Sequence, residues 1–426
     1  MKKLTIWLNS LVNTKFCFVA VLLPFTTAAQ LTLEGAIQTA RNNYPLIKQK
    51  DLINQTASIN IENLSKSYWP QLTLSGQASY QSDVTNIDIP LPGVKIEPLS
   101  KDQYKVVADV NQLIYDGGLI REQKELQTVN ARVEEERLEV ELYKLSERIS
   151  QLYLSILLID EQVKQMAIVE SDLVNGIKRV EAQVQNGTAF KSNLNSLKAE
   201  QLKNDQRLIE LRAMRKGLIQ MLDLFLHQNL NENVVLVRPV TVIPGTQIRR
   251  PELRLYQEQM SVLEQQNRLI KARKAPKTSL FLQAGYGRPG LNFLKNEFTP
   301  YAITGVRFNW SLGGYYTAKR ERELIGISKR TIDLQKETFV LNTNTQLQQQ
   351  KAEIEKYEQL IEKDLQIIEL RKSVKEAAKA QLENAVITSS DYLREVNAED
   401  NARQMLILHQ LQLLQAQINY TIIQGK

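Results

Sequence analysis

The chain has 426 residues, 43% of them hydrophobic, and a formal net charge of +7. Its lysines and arginines alternate with glutamates along helical segments, which indicates solvated helix faces and argues against a nucleic-acid-binding protein. The single cysteine excludes a disulfide framework, and no segment offers the about 20 uninterrupted apolar residues of a transmembrane helix.

The first 29 residues have the pattern of a secretory signal peptide. Two lysines give the basic start, residues 16–25 give a short apolar core, and small residues at positions 27–29 precede the cleavage site. We therefore expect export and a mature chain that starts at Gln30. Removal of three lysines and no acidic residue takes the charge from +7 to +4, and it also removes Cys17.

The mature sequence starts with a helical segment that is followed by two strands. Thr32 is placed to cap a helix that runs to about Lys66, with a break at Tyr44-Pro45. Residues 71–82 and about 103–115 alternate with a period of two and are separated by a proline-rich loop over 83–101. The residues expected on the apolar faces of these strands are Leu72, Leu74, Gly76, Ala78, Tyr80, Val106, Ala108, Val110 and Ile114.

A long helical hairpin follows Gly117-Gly118. Apolar residues step by three or four from Leu142 to Val184, which predicts a coiled-coil seam of about six heptads. A single helix over 119–184 has a length of about 100 Å at 1.5 Å per residue. Asn186-Gly187-Thr188 is the predicted turn, and the return helix is expected to end near residue 226.

The same order of elements occurs a second time, so the chain is an internal duplication. Pro45 and Pro70 are 25 residues apart, and the same spacing separates Pro251 from Pro276. Strands are predicted over about 278–288 and 301–311, and they are followed by a second hairpin. Its predicted seam contains Leu347, Ile354, Tyr357, Ile361, Leu365 and Ile368.

The duplication divides the mature chain into two repeats and a linker. The first repeat covers residues 30–226, with its coiled-coil hairpin at about 119–226. The second covers 251–426, with its hairpin at about 317–423. Residues 227–250, which contain prolines, asparagines and a glycine, link the two repeats.

The predicted strands are about 10 residues long, which is the length of a tilted strand that crosses a bilayer. Their apolar faces would meet either lipid or a soluble core, and both readings stay open. Aromatic residues gather at the strand ends, and such rings favour the headgroup level of a membrane. The predicted aromatic belt consists of Trp69, Tyr80, Tyr115, Tyr286 and Trp310.

The sequence offers no catalytic, cofactor or metal site. His227 and His409 lie in different repeats without a cysteine partner, which favours packing or polar roles. Residues 285–290 match G-x-G-x-x-G in form, but Pro289 follows where a dinucleotide-binding motif opens a helix. We therefore expect a hairpin loop there, no cofactor and no enzyme activity.

The signal pattern, the order of elements and several short segments together resemble the TolC-type outer-membrane efflux proteins. The resemblance covers residues 30–426. It is carried by Leu31-Thr32-Leu33-Glu34, the Tyr44-Pro45 break, Trp69-Pro70, the twin coiled-coil hairpins, Gly117-Gly118 and Gly313-Gly314.

The resemblance implies a mainly α fold with a membrane β-barrel portion. In a homotrimer, three copies of four strands form one 12-stranded barrel in outer-membrane lipid, continuous with a long α-helical barrel in the periplasm. It also implies a passive exit duct of a tripartite efflux or type I secretion system, joined to an inner-membrane pump through a periplasmic adaptor (membrane fusion) protein. Independently, four strands cannot enclose a barrel, because about eight strands are the minimum.

The resemblance further implies two kinds of site residue in the hairpins. Asp391 matches acidic residues that line the periplasmic aperture, whereas Arg394 stands where relatives often carry another acid, so the two residues could instead pair. A simple helix cap by Asp391 is the other reading. The expected adaptor contacts, for which ordinary solvated turns are the alternative, are Asn186, Gly187, Thr188, Ser389 and Ser390.

Two other classes of protein remain as alternatives. An exported coiled-coil structural protein could carry the strands as a small head, although it would not need strands of bilayer length. An adaptor protein of the same pump systems is the second alternative, but adaptors typically have one coiled-coil hairpin and a lipid or helix anchor.

Overall fold

The structure is a computed structural model that describes residues 30–85, 98–240, 245, 247–384 and 386–425. The predicted signal peptide and most of the loop between the first two strands lie outside the described residues.

The first repeat follows the predicted order of elements. Thr32 caps α1 by accepting a hydrogen bond from the Gly35 N–H at 3.1 Å, and a short 3₁₀ helix over Pro45–Lys48 forms the predicted break. The elements are β1 (Gln30–Leu31), α1 (Leu33–Asn43), α2 (Gln49–Ser65), β2 (Gln71–Tyr80), β3 (Asp102–Tyr115), α3 (Leu119–Gln185) and α4 (Lys191–Leu226).

The second repeat has the same order, and its long helix begins three residues before the predicted start. The segment between the repeats contains a two-residue strand, β4 (Val235–Leu236), which pairs in parallel with β1 and was not predicted. The remaining elements are α5 (Pro251–Arg273), β5 (Lys277–Arg288), β6 (Thr299–Asn309), α6 (Gly314–Glu383) and α7 (Ser389–Gln424).

The four long strands form one antiparallel sheet in the order β2-β3-β5-β6. The two repeats meet where β3 pairs with β5, so β2 and β6 are the edges. The register places Leu74 opposite Ala108, and Ala108 opposite Ala284. Because the pleat has a period of two, this register collects the predicted apolar residues of all four strands on one face.

One position of that face departs from the expectation. Between Leu113 and Tyr115 the register of β3 against β5 shifts, so that Leu113 pairs with Ser279 and Tyr115 with Thr278. Ile114 is the extra residue of this bulge, and the bulge transfers Tyr115 to the apolar face. The sequence had predicted Ile114 on the apolar face, because it assumed a regular alternation along β3.

The two Gly-Gly segments end their strands differently. Gly117 and Gly118 have φ values of 73° and 82°, and a Cβ on Gly117 would lie 2.2 Å from the Cβ of Ala275. Asp116 then caps α3 by accepting hydrogen bonds from Gly118 N at 2.9 Å and Ile120 N at 2.6 Å. In the second repeat Gly313 is right-handed, and α6 begins without a side-chain cap.

The helical core consists of two clusters along α3. The first joins α3 to α1, α4, α7 and the segment between the repeats, and the second joins the lower part of α3 to α4, α6 and α7. Most of the predicted α3 seam is buried, whereas Leu365 on α6 is 54% exposed. Within the single chain Leu365 does not join the buried seam, and the neighbouring Asp364 is buried in its place.

Tyr153 anchors the segment between the repeats to the first cluster. Its side chain is fully buried, and its hydroxyl lies 2.6 Å from the carbonyl oxygens of both Leu31 and Val237. Burial raises the pKa of Tyr153 to about 12, so the hydroxyl remains a donor at every physiological pH. One side chain thus contacts both strands of the small β1–β4 pairing at the same end.

Candidate functional site

The four-stranded sheet presents two chemically different faces. The apolar face contains Leu72 and Leu74, which are 71% and 74% exposed, and Val306, which is 65% exposed. Along β5 the apolar positions Leu280, Leu282, Ala284 and Tyr286 are exposed, whereas the alternate positions between them are half-buried or buried. The apolar side chains of β5 are therefore the more exposed set in the single chain.

The opposite, polar face carries small residues, amides and a few charges. Gln283 donates a hydrogen bond to Asp109 across the β3–β5 pairing. Tyr301 and Phe281 also lie on this face, each across a glycine of the neighbouring strand, Gly285 and Gly305 respectively. A Cβ on Gly285 would lie 2.2 Å from the Tyr301 ring, so the missing side chain is what allows the ring to lie flat.

The predicted belt residues lie at the two ends of the sheet. Tyr80 and Tyr286 are at the end with the loops, and the ring of Tyr286 stacks on Phe298 with centroids 5.7 Å apart. Trp69, Tyr115 and Trp310 are at the end that joins the helices, where Trp310 Nε1–H donates to the Lys274 carbonyl at 3.0 Å. All five side chains are exposed in the single chain.

The first hairpin tip is a regular helix stop. Gly187 is left-handed with φ of 72°, and its N–H donates to the Val184 carbonyl at 3.1 Å. The N–H of Thr188 donates to the Gln183 carbonyl at 2.8 Å, which completes a Schellman motif. Phe190, the N-cap residue of the return helix, is 78% exposed.

The second tip contains a capping box at the start of α7. The N–H of Asp391 donates to Thr388 Oγ1 at 3.2 Å, while the Asp391 carboxylate accepts from the hydroxyl and the N–H of Thr388 at 2.6 and 3.2 Å. The Thr388 hydroxyl, its N–H and then the Arg394 guanidinium, 3.9 Å away, lower the pKa of Asp391. Asp391 therefore both caps the helix and pairs weakly with Arg394.

The two serines next to the cap differ in exposure. Ser389 is fully buried in the single chain, and its expected role as an adaptor contact stays a prediction. Ser390 is exposed, and its role as an adaptor contact likewise stays a prediction. The hydrophobic periodicity of the sequence does not reveal this difference in exposure, because both serines belong to the first turn of the same helix.

A buried charged group above the second tip joins the two hairpins. Lys375 of α6 lies 2.9 Å from Asp172 of α3 and 2.5 Å from Glu399 of α7, and Arg403 lies 2.6 Å from Glu399. Burial opposes the charge of Lys375, but the bonds to Glu399 and Asp172 outweigh it and raise the Lys375 pKa. Likewise, burial opposes the charge of Glu399, but the bonds from Lys375 and Arg403 keep its pKa lowered.

A second polar pair lies inside the α6–α7 hairpin. His409 Nδ1 is 2.6 Å from Asp364 Oδ2, and the imidazole ring lies against Tyr357 with centroids 6.1 Å apart. The sequence predicted a packing or polar role for His409 but did not find its partner. Within the described part of the chain, no three His, Cys, Asp or Glu residues are grouped closely enough to hold a metal ion.

None of the described helices is both long enough and apolar enough to cross a membrane. No protein-family model matches the sequence, and no curated protein sequence matches it significantly.

Several solved structures share the fold over nearly the whole chain. The CmeC outer membrane channel of Campylobacter jejuni is 13% identical with a TM-score of 0.61, and the match covers 92% of this chain and 85% of that one. The MtrE outer membrane channel of Neisseria gonorrhoeae in its open state is 13% identical with a TM-score of 0.64, covering 92% and 89%. CusC, for which transmembrane channel formation is described, is 14% identical with a TM-score of 0.64, covering 93% of each chain.

The sheet, the twin hairpins and these neighbours define one class of fold. The chain has the fold of these outer membrane channels, which agrees with the fold that the sequence resemblance implied.

Proposed function

We propose that this protein is a homotrimeric outer-membrane channel that extends into the periplasm. It serves as the passive exit duct of a tripartite efflux or type I secretion system, with a periplasmic adaptor and an inner-membrane pump as partners. The similarity to CmeC and MtrE, which are outer membrane channels, supports this proposal.

The observation that carries the proposal is the open four-stranded sheet with one apolar face. Strands β2 and β6 each have an edge that no other described strand pairs with, and long exposed edges demand a partner. Because neighbouring strands alternate in direction, β2 of one copy meets β6 of the next in antiparallel orientation. Three copies then give a closed barrel of 12 strands that has no free edge. Its apolar face is turned to lipid.

The long helix of the second repeat supports self-association. On α6, Leu324, Leu334 and Leu341 are 62%, 62% and 65% exposed, and Leu370 is 69% exposed. Apolar side chains spread over such a length are costly in water and point to burial against another helix. A ring of three copies buries them, since each copy then packs α6 against its neighbour.

The hairpin tips are proposed as the adaptor contacts. The first tip offers Asn186, Gly187, Thr188 and the exposed Phe190, and the second offers Ser390 and Val386, which is 69% exposed. An apolar anchor next to free polar groups is the usual composition of a protein contact. Asp391 and Arg394 lie beside this surface and are proposed to line the aperture.

An exported coiled-coil structural protein or an adaptor remains the alternative. Both would leave the apolar sheet face without an occupant, because the helices of the described chain do not cover it: Leu72, Leu74 and Val306 stay exposed. In an outer-membrane channel the apolar face of the sheet contacts lipid, and for this reason we favour the channel.

The mass of the protein in detergent tests the proposal. The outer-membrane fraction is extracted, and the oligomer is measured by light scattering combined with size exclusion. We expect a trimer that conducts ions in a planar bilayer. A water-soluble periplasmic monomer or dimer would contradict the channel and favour the coiled-coil structural protein.

A further inference from the structure

We propose that the barrel portion of the duct is lined by basic side chains held on aromatic rings and that it favours anionic solutes over cationic ones. The inference rests on the proposed function, because it requires the polar face of the sheet to turn inward.

The polar face has an excess of positive charge. The register places Lys105, Asp109, Lys277 and Arg307 on that face, and its other residues are neutral. Three cations and one anion leave a net charge of +2 per copy. Asp109 also accepts a hydrogen bond from Gln283 on the same face.

Lys105 is held by an aromatic ring near the loop end of the sheet. Its Nζ lies 5.6 Å from the centroid of Tyr301, and Tyr301 lies flat over Gly285. The hydroxyl of Tyr301 is buried and has no hydrogen-bond partner among the described residues. The exposed ammonium group of Lys105 is therefore the group of this patch that meets the lumen, and it is complementary to an anion.

Arg307 repeats this arrangement near the helix end. Its guanidinium carbon lies 4.8 Å from the centroid of Phe281, and the ring of Phe281 lies over Gly305, where a Cβ would be 3.0 Å from it. A cation above the face of an aromatic ring is stabilised by the ring while its charge remains available. Neither Lys105 nor Arg307 takes part in a carboxylate ion pair among the described residues, so these charges are not neutralised.

In a trimer each of these cations occurs three times around one axis. Rings of Lys or Arg side chains select anions, because the positive charges of the pore wall attract an anion and replace part of its hydration shell. The two rings lie at different heights, with Lys105 near the exterior and Arg307 near the helices. Solutes that carry a carboxylate or phosphate group are therefore the class that this wall favours.

Reversal potentials in planar bilayers under a potassium chloride gradient test the inference. We expect the wild-type trimer to pass chloride in preference to potassium. Removal of one ring, by Lys105→Gln or Arg307→Gln, should lower the chloride-to-potassium permeability ratio about two- to threefold. The three charges of a ring act together on an ion that passes within about one Debye length of them. The double variant should show a larger decrease, and Arg307→Lys should keep the wild-type ratio.

Arg288→Gln is the matched control, because Arg288 lies on the apolar face of the same sheet and pairs with Asp102. It removes an equal charge without changing the lumen, so its ratio should equal the wild-type ratio. A potassium-selective wild type whose ratio is unchanged in the double variant would overturn this inference while leaving the channel intact. Absence of trimers and of conductance in the wild type would instead contradict the proposed function, and the lining with it.

Discussion

At the scale of single residues, the second hairpin tip combines a helix cap with a charge. Asp391 accepts two hydrogen bonds from Thr388 and lies near Arg394, so the carboxylate is engaged yet still partly exposed. The reading as a helix cap and the reading as an Asp391–Arg394 pair are both present in the geometry. The role at an aperture stays a prediction, because a single chain does not contain the ring of three carboxylates.

Two substitutions separate the charge of Asp391 from its cap. Asp391→Asn keeps an acceptor oxygen for Thr388 but removes the charge, and it should weaken the cation contribution to single-channel selectivity. Thr388→Ala keeps the charge but removes the cap, and it should leave selectivity unchanged while the start of α7 loses about 0.5–2 kcal/mol. Reversal potentials and amide hydrogen exchange measure the two effects. Equal selectivity in the wild type and Asp391→Asn would exclude the aperture role.

The buried Glu399 predicts a pH dependence of the tip. Its lowered pKa means that its stabilising bonds to Lys375 and Arg403 are fully present above the unfolded value of about 4.3 and are lost as the pH falls through the folded value. Glu399→Gln should therefore cost about 1.5–3 kcal/mol at neutral pH, the range for hydrogen bonds to charged groups. At a pH below both the folded and the unfolded pKa of Glu399, the variant and the wild type should become equally stable.

Thermal loss of the helical circular dichroism signal at neutral and acidic pH measures this difference. Glu134→Gln is the control, because Glu134 forms an exposed pair with Arg137 within one turn of α3. Its midpoint should differ little from the wild type at either pH. If Glu399→Gln lowered the midpoint of thermal unfolding equally at both pH values, the proposed link between the charge of Glu399 and stability would be contradicted.

At the scale of elements, the two faces of the sheet differ in what they tolerate. Leu282 lies on the apolar face, and an arginine there would face lipid, where a charge costs about 2–4 kcal/mol near the bilayer midplane. We expect Leu282→Arg to reduce the yield of assembled trimer in the outer membrane. Normal assembly of this variant would contradict the assigned face.

The neighbouring residue supplies the comparison for Leu282→Arg. Gln283 lies on the polar face beside Asp109, so Gln283→Arg places the same side chain where a carboxylate can pair with it. We expect trimers of Gln283→Arg to form at the wild-type level. Both yields are read from heat-modifiable bands on unboiled gels.

The sequence predicted these elements well, because period two in the strands and steps of three or four in the helices are imposed by the backbone itself. What it missed lies where packing decides between neighbours. Leu365 is exposed and Asp364 buried, since the α6–α7 hairpin accommodates a carboxylate opposite His409. Likewise, the bulge at Ile114 has no periodic signal, because it depends on how β3 pairs with a strand of the other repeat.

At the scale of the whole molecule, the duplication explains the two open edges of the sheet among the described residues. Each repeat supplies two strands and one helical hairpin, and the repeats join through β3 and β5 in the sheet and through Lys375 and Asp172 near the tips. Joining the repeats leaves β2 and β6 as edges on opposite sides of the sheet. The fold therefore ends where a neighbouring copy would begin, as expected for a ring built from identical parts.

Cysteine cross-links across the β2–β6 edges test this closure directly. Ser75 lies on the polar face of the β2 edge, and Tyr301, Ile303 and Gly305 lie on the same face of β6. Ser75→Cys combined with a cysteine at each β6 position in turn should give, for the register that matches, covalent dimers and trimers under oxidation. The cross-link must be between copies, because two strands separate β2 from β6 within one sheet.

The mature chain has no cysteine of its own if the predicted signal peptide is removed, so Ser75→Cys alone serves as the control and should form no ladder. Denaturing gels of the oxidised double variants should show bands for one, two and three copies and nothing larger, since closure at 12 strands uses every edge. A ladder that continues beyond three copies would indicate an open filament. Its absence for all three β6 positions would mean that β2 and β6 do not meet.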